Sequence, residues 1–457
     1  MWLPIGLHDT ASGDPYVTMC LMDYGHYQDN PPATPMFAHL HSFSKCGQVK
    51  GNNAGTPSAG LVSLVRMSSL MNSVKEQGRE PLPPKGFVYH ETRCGSTLVA
   101  NMLASLPPSR VFSESKPPTQ VIRECMAEGC NTETRLKVFR NVVALMGRRR
   151  NGEEHEHLYF KFQNSKFIPE ISEAFPEVPW VFVFRDPVEV MVSNLKSFTG
   201  APCVRIPRQE KLRKSGKVGK MMPPKKHRPG VSRGKLPRER KIRGLRQGPT
   251  TGGDGGVDGG NGDRYGLEVF DESVSWNGFT DGGFDSLGVP FSGMLIGGER
   301  EDGRSLKPVG NSKFKLSANM TTECADWLKS LCVSAVKGGE NFPSKALFVD
   351  YSNLPDAIPE HVFPEHFGMQ KYMDQAVPDW RDLMFEAAGS YSKGTIKGKT
   401  REFAGDVEEK HKHASPLIVE ASQGDGGLYD LYHSLDAMQK WRRPLDEEGT
   451  PEEKSGV

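Results

Sequence analysis

Short apolar runs closed by polar turns set the rhythm of the chain. Residues 86–90 (GFVYH), 158–162 (LYFKF), 180–184 (WVFVF) and 346–351 (ALFVDY) each have the length and β-branched or aromatic character of a buried strand. Residues 110–115 (RVFSES) read as a shorter strand running into a polar tip. Between them lie stretches with helical spacing. Residues 98–103 are apolar but for Asn101, and 120–146 is helical with a break marked by Gly129 and Asn131. Residues 165–175 and 188–195 read as helices, and in 321–337 Cys324, Leu328, Leu331, Cys332 and Ala335 share one face. Much of 372–441 is expected to be helical. Strands separated by helices predict an α/β fold with a parallel sheet and right-handed crossovers. Residues 1–84 are harder to read: 16–22 is expected as a strand, 61–74 as a short amphipathic helix, and 81–84 as a stiff connector.

The first clear strand runs into Glu91-Thr92-Arg93-Cys94-Gly95-Ser96-Thr97 and then a helix. Strand, tight polar loop and helix is a layout that points free backbone N–H groups at an anion, with the helix N-terminus partly positive. Gly95 allows close backbone approach, Arg93 adds a full charge, and Ser96 and Thr97 add hydroxyls. This is phosphate or sulfate chemistry. It is not a Walker A loop, because no lysine separates Gly95 from Ser96. A second stretch, 179–198 (PWVFVFRDPVEVMVSNLKSF), repeats the layout. Arg185 ends an interior strand, Pro187 opens a helix, and Ser193 follows Arg185 by eight residues.

Together these two stretches resemble the sulfotransferase family, whose members carry a 5′-phosphosulfate loop after the first strand. They also carry a 3′-phosphate motif of arginine and a serine eight positions later. The resemblance covers about 85–202 and, more faintly, about 321–435. It implies a three-layer P-loop-like fold, a central parallel sheet flanked by helices, and 3′-phosphoadenylyl sulfate (PAPS) as co-substrate. It assigns Arg93, Cys94, Gly95, Ser96 and Thr97 to the 5′ end of PAPS, and Arg185 and Ser193 to its 3′-phosphate. Lys393, in a faint match to the family's late basic-glycine loop, joins the donor-binding set. Arg93 stands where lysine is usual. Arginine keeps the anion contact but cannot serve as a transient proton donor.

Composition divides the chain. Of its 457 residues, 49 are glycine and 34 proline, and only 36% are hydrophobic. A core of one domain with long insertions is expected. Residues 205–246 hold 17 Lys and Arg against Glu210 and Glu239, which leaves a net charge of −13 on the rest. A glycine-rich stretch follows, and disorder is the expectation there. The insertion reads either as a solvated loop or as an electrostatic tether to polyanions. The expected division is an N-terminal extension (1–84), a first core part (85–204), the insertion (205–320), a second core part (321–441) and a tail (442–457). Eight cysteines without a C-x-x-C pair predict mostly free thiols and no zinc site. No run of about 18 apolar residues and no signal peptide is visible. The expectation is a cytoplasmic protein, or a secretory one if the N-terminus is incomplete. The sequon Asn319-Met320-Thr321 matters only in the second case.

Sulfuryl transfer needs a group to take the acceptor's proton and charge to stabilise the bridging oxygen. Arg93 serves the second need as well as donor binding. Glu114, at the end of the strand after the loop, is the candidate base, and sulfotransferases acting on sugars and tyrosines place a glutamate in that region. His90, beside the loop, is the rival, and Lys161 is a candidate for assisting the leaving oxygen. The pairs His155/His157 and His411/His413 lack the further ligands of a metal site, and 394–400 is one residue short of a Walker A loop. The expected activity is transfer of a sulfuryl group to a hydroxyl or amine acceptor, with carbohydrate one option and no metal. A P-loop kinase or nucleotide hydrolase, or an inactive nucleotide-binding protein, is the alternative.

Overall fold

The computed structural model describes residues 1–44, 62–78, 80–149, 155–195, 203, 316–390, 407–424 and 427–443. All belong to one unit, Met1–Lys211 with Gly282–Val457; a second unit, Leu212–Asp281, lies outside the described residues, as does nearly all of the basic and glycine-rich insertion. Five parallel strands form the central sheet in the order β5-β6-β4-β7-β8. They are β4 (Pro84–His90), β5 (Ser109–Ser113), β6 (His157–Lys161), β7 (Trp180–Phe184) and β8 (Ala346–Asp350). Helices on both faces bury them, which is why β7 reads as an unbroken apolar run. All five residues of β7 are buried, and Trp180 is among the largest fully buried side chains. Trp180→Ala would cost about 3–5 kcal/mol through lost burial and the cavity left behind.

The crossover helices follow the expected punctuation. Ser96–Ala104 joins β4 to β5, and Lys116–Glu128 with Thr132–Met146 join β5 to β6. Gly129 (φ 75°) ends the first of that pair, and the Asn131 side chain caps the second by accepting from the Thr134 N–H at 2.7 Å. Ile168–Ala174 connects β6 to β7. Pro187–Leu195 follows β7, and Ala318–Asn341 precedes β8. Starting from β4, the chain builds β5 and β6 on one side and β7 and β8 on the other. The strand order therefore reverses at the carboxyl end of β4, where ligands bind in open α/β sheets.

The N-terminal residues form an antiparallel sheet of β1 (Trp2–His8), β2 (Tyr16–Leu21) and β3 (Val62–Arg66). The helix expected over 61–74 is half corrected: Val62–Arg66 pairs with β2, and only Met67–Glu76 is helical. This segment packs into the main core. The Tyr24 hydroxyl accepts from the Val111 N–H at 2.6 Å and donates to the Val111 carbonyl at 3.0 Å, closing the outer edge of β5. Gln120 makes the equivalent pair of bonds with Leu7.

The reading of mostly free thiols is corrected. Cys125–Cys130 and Cys203–Cys324 are disulfides, and Cys20 is also disulfide-bonded. Cys94 and Cys332 are free and buried. The Cys203–Cys324 partners lie 121 positions apart, a pairing that spacing rules cannot see. Among the described residues no helix is long and apolar enough to cross a membrane.

Candidate functional site

Because the sheet is parallel, the carboxyl ends of all five strands lie on one edge. That edge carries His90, the 91–95 loop, Glu114, Lys161, Arg185 and Asp350. The register aligns them: Ser113 pairs with Lys161, Val88 with Lys161, His90 with Val183 and Phe184 with Asp350.

The 91–95 loop is unusually shaped. Thr92, Arg93 and Gly95 have φ of 90°, 54° and 86°. Left-handed backbone at non-glycine residues costs about 1–3 kcal/mol each and concentrates at functional sites. At Gly95 the freedom is needed twice. Besides its positive φ, an added Cβ would come within 2.8 Å of both Leu354 and Tyr351. Gly95 then caps the Ser96–Ala104 helix, its carbonyl accepting from the Leu98 N–H at 2.8 Å. Arg93 is exposed at the loop tip, while Ser96 and Thr97 are buried. The Cys94 side chain turns inward, donating to the Val183 carbonyl at 3.0 Å, and burial pushes its thiol up to about 11. Cys94 thus offers an anion only its backbone.

Beneath the loop lies a carboxyl the sequence did not single out. Glu91 is fully buried, and its Oε2 accepts from the Arg185 N–H at 3.3 Å. Burial pushes its pKa up to about 8, with the nearby Asp350 and Asp186 adding to the rise.

Glu114, His90 and Lys161 come together on this edge. Lys161, 1% exposed, forms an ion pair with Glu114 Oε1. The Glu114 N–H donates to the Lys161 carbonyl at 2.8 Å, and Glu114 itself has φ 56°. His90 Nδ1 accepts from the Thr92 N–H at 3.0 Å. The neutral ring therefore carries its proton on Nε2, which lies 3.7 Å from Glu114 Oε1. His90 is fixed further by Ser165, whose hydroxyl accepts from its N–H and donates to its carbonyl. A second imidazole was missed: His39, on the Phe37–Phe43 helix, has its pKa lowered by burial while the Glu114 charge pulls it back up. Nothing local in 1–84 signals this, because the proximity is created by the fold.

Arg185 is buried at the other end of the edge. Its guanidinium stacks on Tyr351, 3.8 Å from the ring centroid, and is ion-paired with Glu189. Asp186 Oδ1 accepts from the Val188 and Glu189 N–H groups at 2.9 and 3.2 Å, and its Oδ2 accepts from Tyr429 at 2.7 Å. Ser193 is half-buried on the same helix, one turn beyond Glu189. Lys393 and the 394–400 stretch lie outside the described residues.

The histidine pairs set aside earlier also find places. His155 bonds to Gln28 at 2.9 Å, and His157 packs edge-on against Tyr372 with its pKa lowered to about 4 by burial. His411 Nε2 comes within 3.4 Å of Glu189 and 3.7 Å of Asp186. Those three side chains present ligand atoms within 4.8 Å of one another. Neither a comparison with protein-family models nor one with curated proteins finds a match to this chain.

Proposed function

We propose that the chain is a PAPS-dependent sulfotransferase with a P-loop-like core. The observation that supports this best is the shared sheet edge. It carries a strained anion loop with an exposed Arg93, a buried Arg185 stacked on an aromatic ring, and between β5 and β6 the Glu114–Lys161 pair. In this reading Arg93 and the backbone of residues 94–97 hold the phosphosulfate, and Arg185 with Ser193 holds the 3′-phosphate. Glu114 takes the proton of the acceptor hydroxyl or amine as its oxygen or nitrogen attacks sulfur. Lys161, ion-paired with that carboxylate, is the cation that would meet charge on the departing phosphate oxygen. His90, whose Nε2 lies 3.7 Å from Glu114 Oε1, stands beside the base. The acceptor class stays open, with a carbohydrate hydroxyl the first candidate.

A kinase or nucleotide hydrolase is the second reading, and the Asp186, Glu189 and His411 group is what favours it. Against it, Asp186 is occupied by two helix N–H groups and Tyr429, and Glu189 by Arg185. The disulfides fit an oxidising compartment, and Asn319 of the sequon is exposed, so we read the protein as one of the secretory pathway rather than the cytoplasm.

Calorimetric titration with 3′-phosphoadenosine 5′-phosphate (PAP), ADP and ATP tests the proposal. PAP is expected to bind tightest. Tighter binding of ATP would overturn it in favour of the kinase reading.

A further inference from the structure

Glu189 stands between the two residues assigned to one phosphate. Arg185 lies just before the Pro187–Leu195 helix, and Glu189 and Ser193 are one turn apart on it. Glu189 Oε2 takes both Nε and Nη2 of Arg185, and the two side chains are only 7% and 5% exposed. The Nε–Nη2 edge is the fork through which a guanidinium grips an oxyanion by two parallel bonds. The other Glu189 oxygen, Oε1, faces His411 Nε2 at 3.4 Å on the Val407–Lys412 helix. One carboxylate thus lies between two cationic or N–H-donating partners, one of them the residue assigned to the ligand.

We propose that Glu189 is an internal competitor for the phosphate that Arg185 binds. An incoming phosphate takes the Nε–Nη2 edge, and Glu189 passes its hold from Arg185 to His411. This rests on the reading of Arg185 as the 3′-phosphate cation. The device has two consequences. A phosphate dianion outbids a carboxylate for the guanidinium where a singly charged anion gains little, so the site selects for a terminal phosphate. When the spent nucleotide leaves, Glu189 re-forms the pair, so Arg185 is never left buried without an anion, a costly state. Product release is faster for it. The contrasting role, a carboxylate that merely orients Arg185, makes the opposite prediction for binding.

The test is calorimetric titration of PAP and of adenosine 5′-monophosphate (AMP), which lacks the 3′-phosphate, into wild type, Glu189→Gln and His411→Ala. Removing the competing charge in Glu189→Gln should tighten PAP binding roughly tenfold and leave AMP unchanged. His411→Ala, which deprives Glu189 of its second partner, should weaken PAP binding roughly two- to tenfold and spare AMP. The melting temperature of Glu189→Gln should fall without nucleotide, and PAP should raise it by more than in wild type. Unchanged or weaker PAP binding in Glu189→Gln would overturn the proposal. If that variant does not fold, unchanged PAP binding in His411→Ala would overturn it. Wild type preferring PAP to AMP with no gain in Glu189→Gln sinks this inference alone. No preference for PAP over AMP in either protein sinks the reading of Arg185 with it.

Discussion

Lys161, the last residue of β6, forms its ion pair with Glu114, the first residue beyond β5, so two neighbouring parallel strands deliver opposite charges to one point. The Lys161 side chain is almost wholly buried, and that of Glu114 is 13% exposed. This asymmetry suits a base: the carboxylate is held by its partner and is the more exposed of the two. Glu114→Gln keeps the shape and removes the basicity. Turnover of labelled PAPS with a panel of sugars and phenols should fall about 10²- to 10⁴-fold. PAP affinity should hold, because the lost charge never attracted a polyanion. His90→Asn should cost far less turnover. The reverse pattern, with the fold intact, would give the base role to His90.

The buried Glu91 makes stability depend on pH. Its folded pKa, about 8, lies above the ordinary value of 4.5, so the folded protein holds a proton that the unfolded chain releases. The stability this contributes is present at low pH and is lost as pH rises from about 4.5 to about 8. The slope within that window is on the order of 1.4 kcal/mol per pH unit. Melting temperatures between pH 5 and 9 should show wild type losing ground through the window, and Glu91→Gln should flatten the trend. An identical slope in both proteins would mean that Glu91 is already ionised in the fold.

Tyr351 lies against Gly95 of the 91–95 loop and over the Arg185 guanidinium. Ala at position 95 would carry a left-handed backbone costing about 1–2 kcal/mol. Its Cβ would also press on the Tyr351 ring at 2.8 Å. That ring covers the Arg185 guanidinium, a contact worth about 0.5–2 kcal/mol. Gly95→Ala should therefore lower the melting temperature and weaken PAP binding about 2- to 30-fold, more than it weakens AMP. Equal weakening of both nucleotides would show that the ring does not transmit the change.

Cys324 lies in the long Ala318–Asn341 helix, and its bond to Cys203 closes a loop of 121 positions. Loop-closure entropy alone gives such a link about 4–5 kcal/mol. Reduction should lower the melting temperature markedly, and Cys203→Ser with Cys324→Ser should reproduce the loss. Cys94, buried and with its thiol held protonated, should resist a thiol reagent until the protein unfolds. A melting temperature indifferent to reductant would contradict the cross-link.

The central sheet was legible because its inner strands, β7 above all, are buried on both faces and appear as largely apolar runs, with the alternating 158–162 and the short 110–115 segment between them. The meeting of His90, Glu114 and Lys161 was legible for a related reason. All three end strands, or follow them directly, and a parallel sheet brings such positions to one edge. Arg185 was legible by the same rule. Its partner Glu189 was within reach of the i,i+4 relation, but that relation does not distinguish a ligand-binding arginine from one satisfied inside the protein. His39 and His411 belong to segments far from the strand ends they approach, and no local pattern announces them. The β3 strand was read as helix because apolar spacing in 61–74 suits both periods over so short a stretch. The Cys203–Cys324 disulfide escaped because its partners are joined by the fold and not by spacing, and Cys125 and Cys130, five positions apart, match no C-x-x-C pattern.

Selective recognition of a 3′-phosphate by Arg185 is the claim on which the rest stands, and one comparison measures it directly: PAP and AMP titrated calorimetrically into wild type and Arg185→Ala. A charge-assisted bond of this kind is worth roughly 1.5–3 kcal/mol, or about 10- to 150-fold in affinity. Wild type should prefer PAP by about that factor. Arg185→Ala should erase the preference while changing AMP binding little. Equal losses for the two nucleotides, or no preference in wild type, would contradict the account.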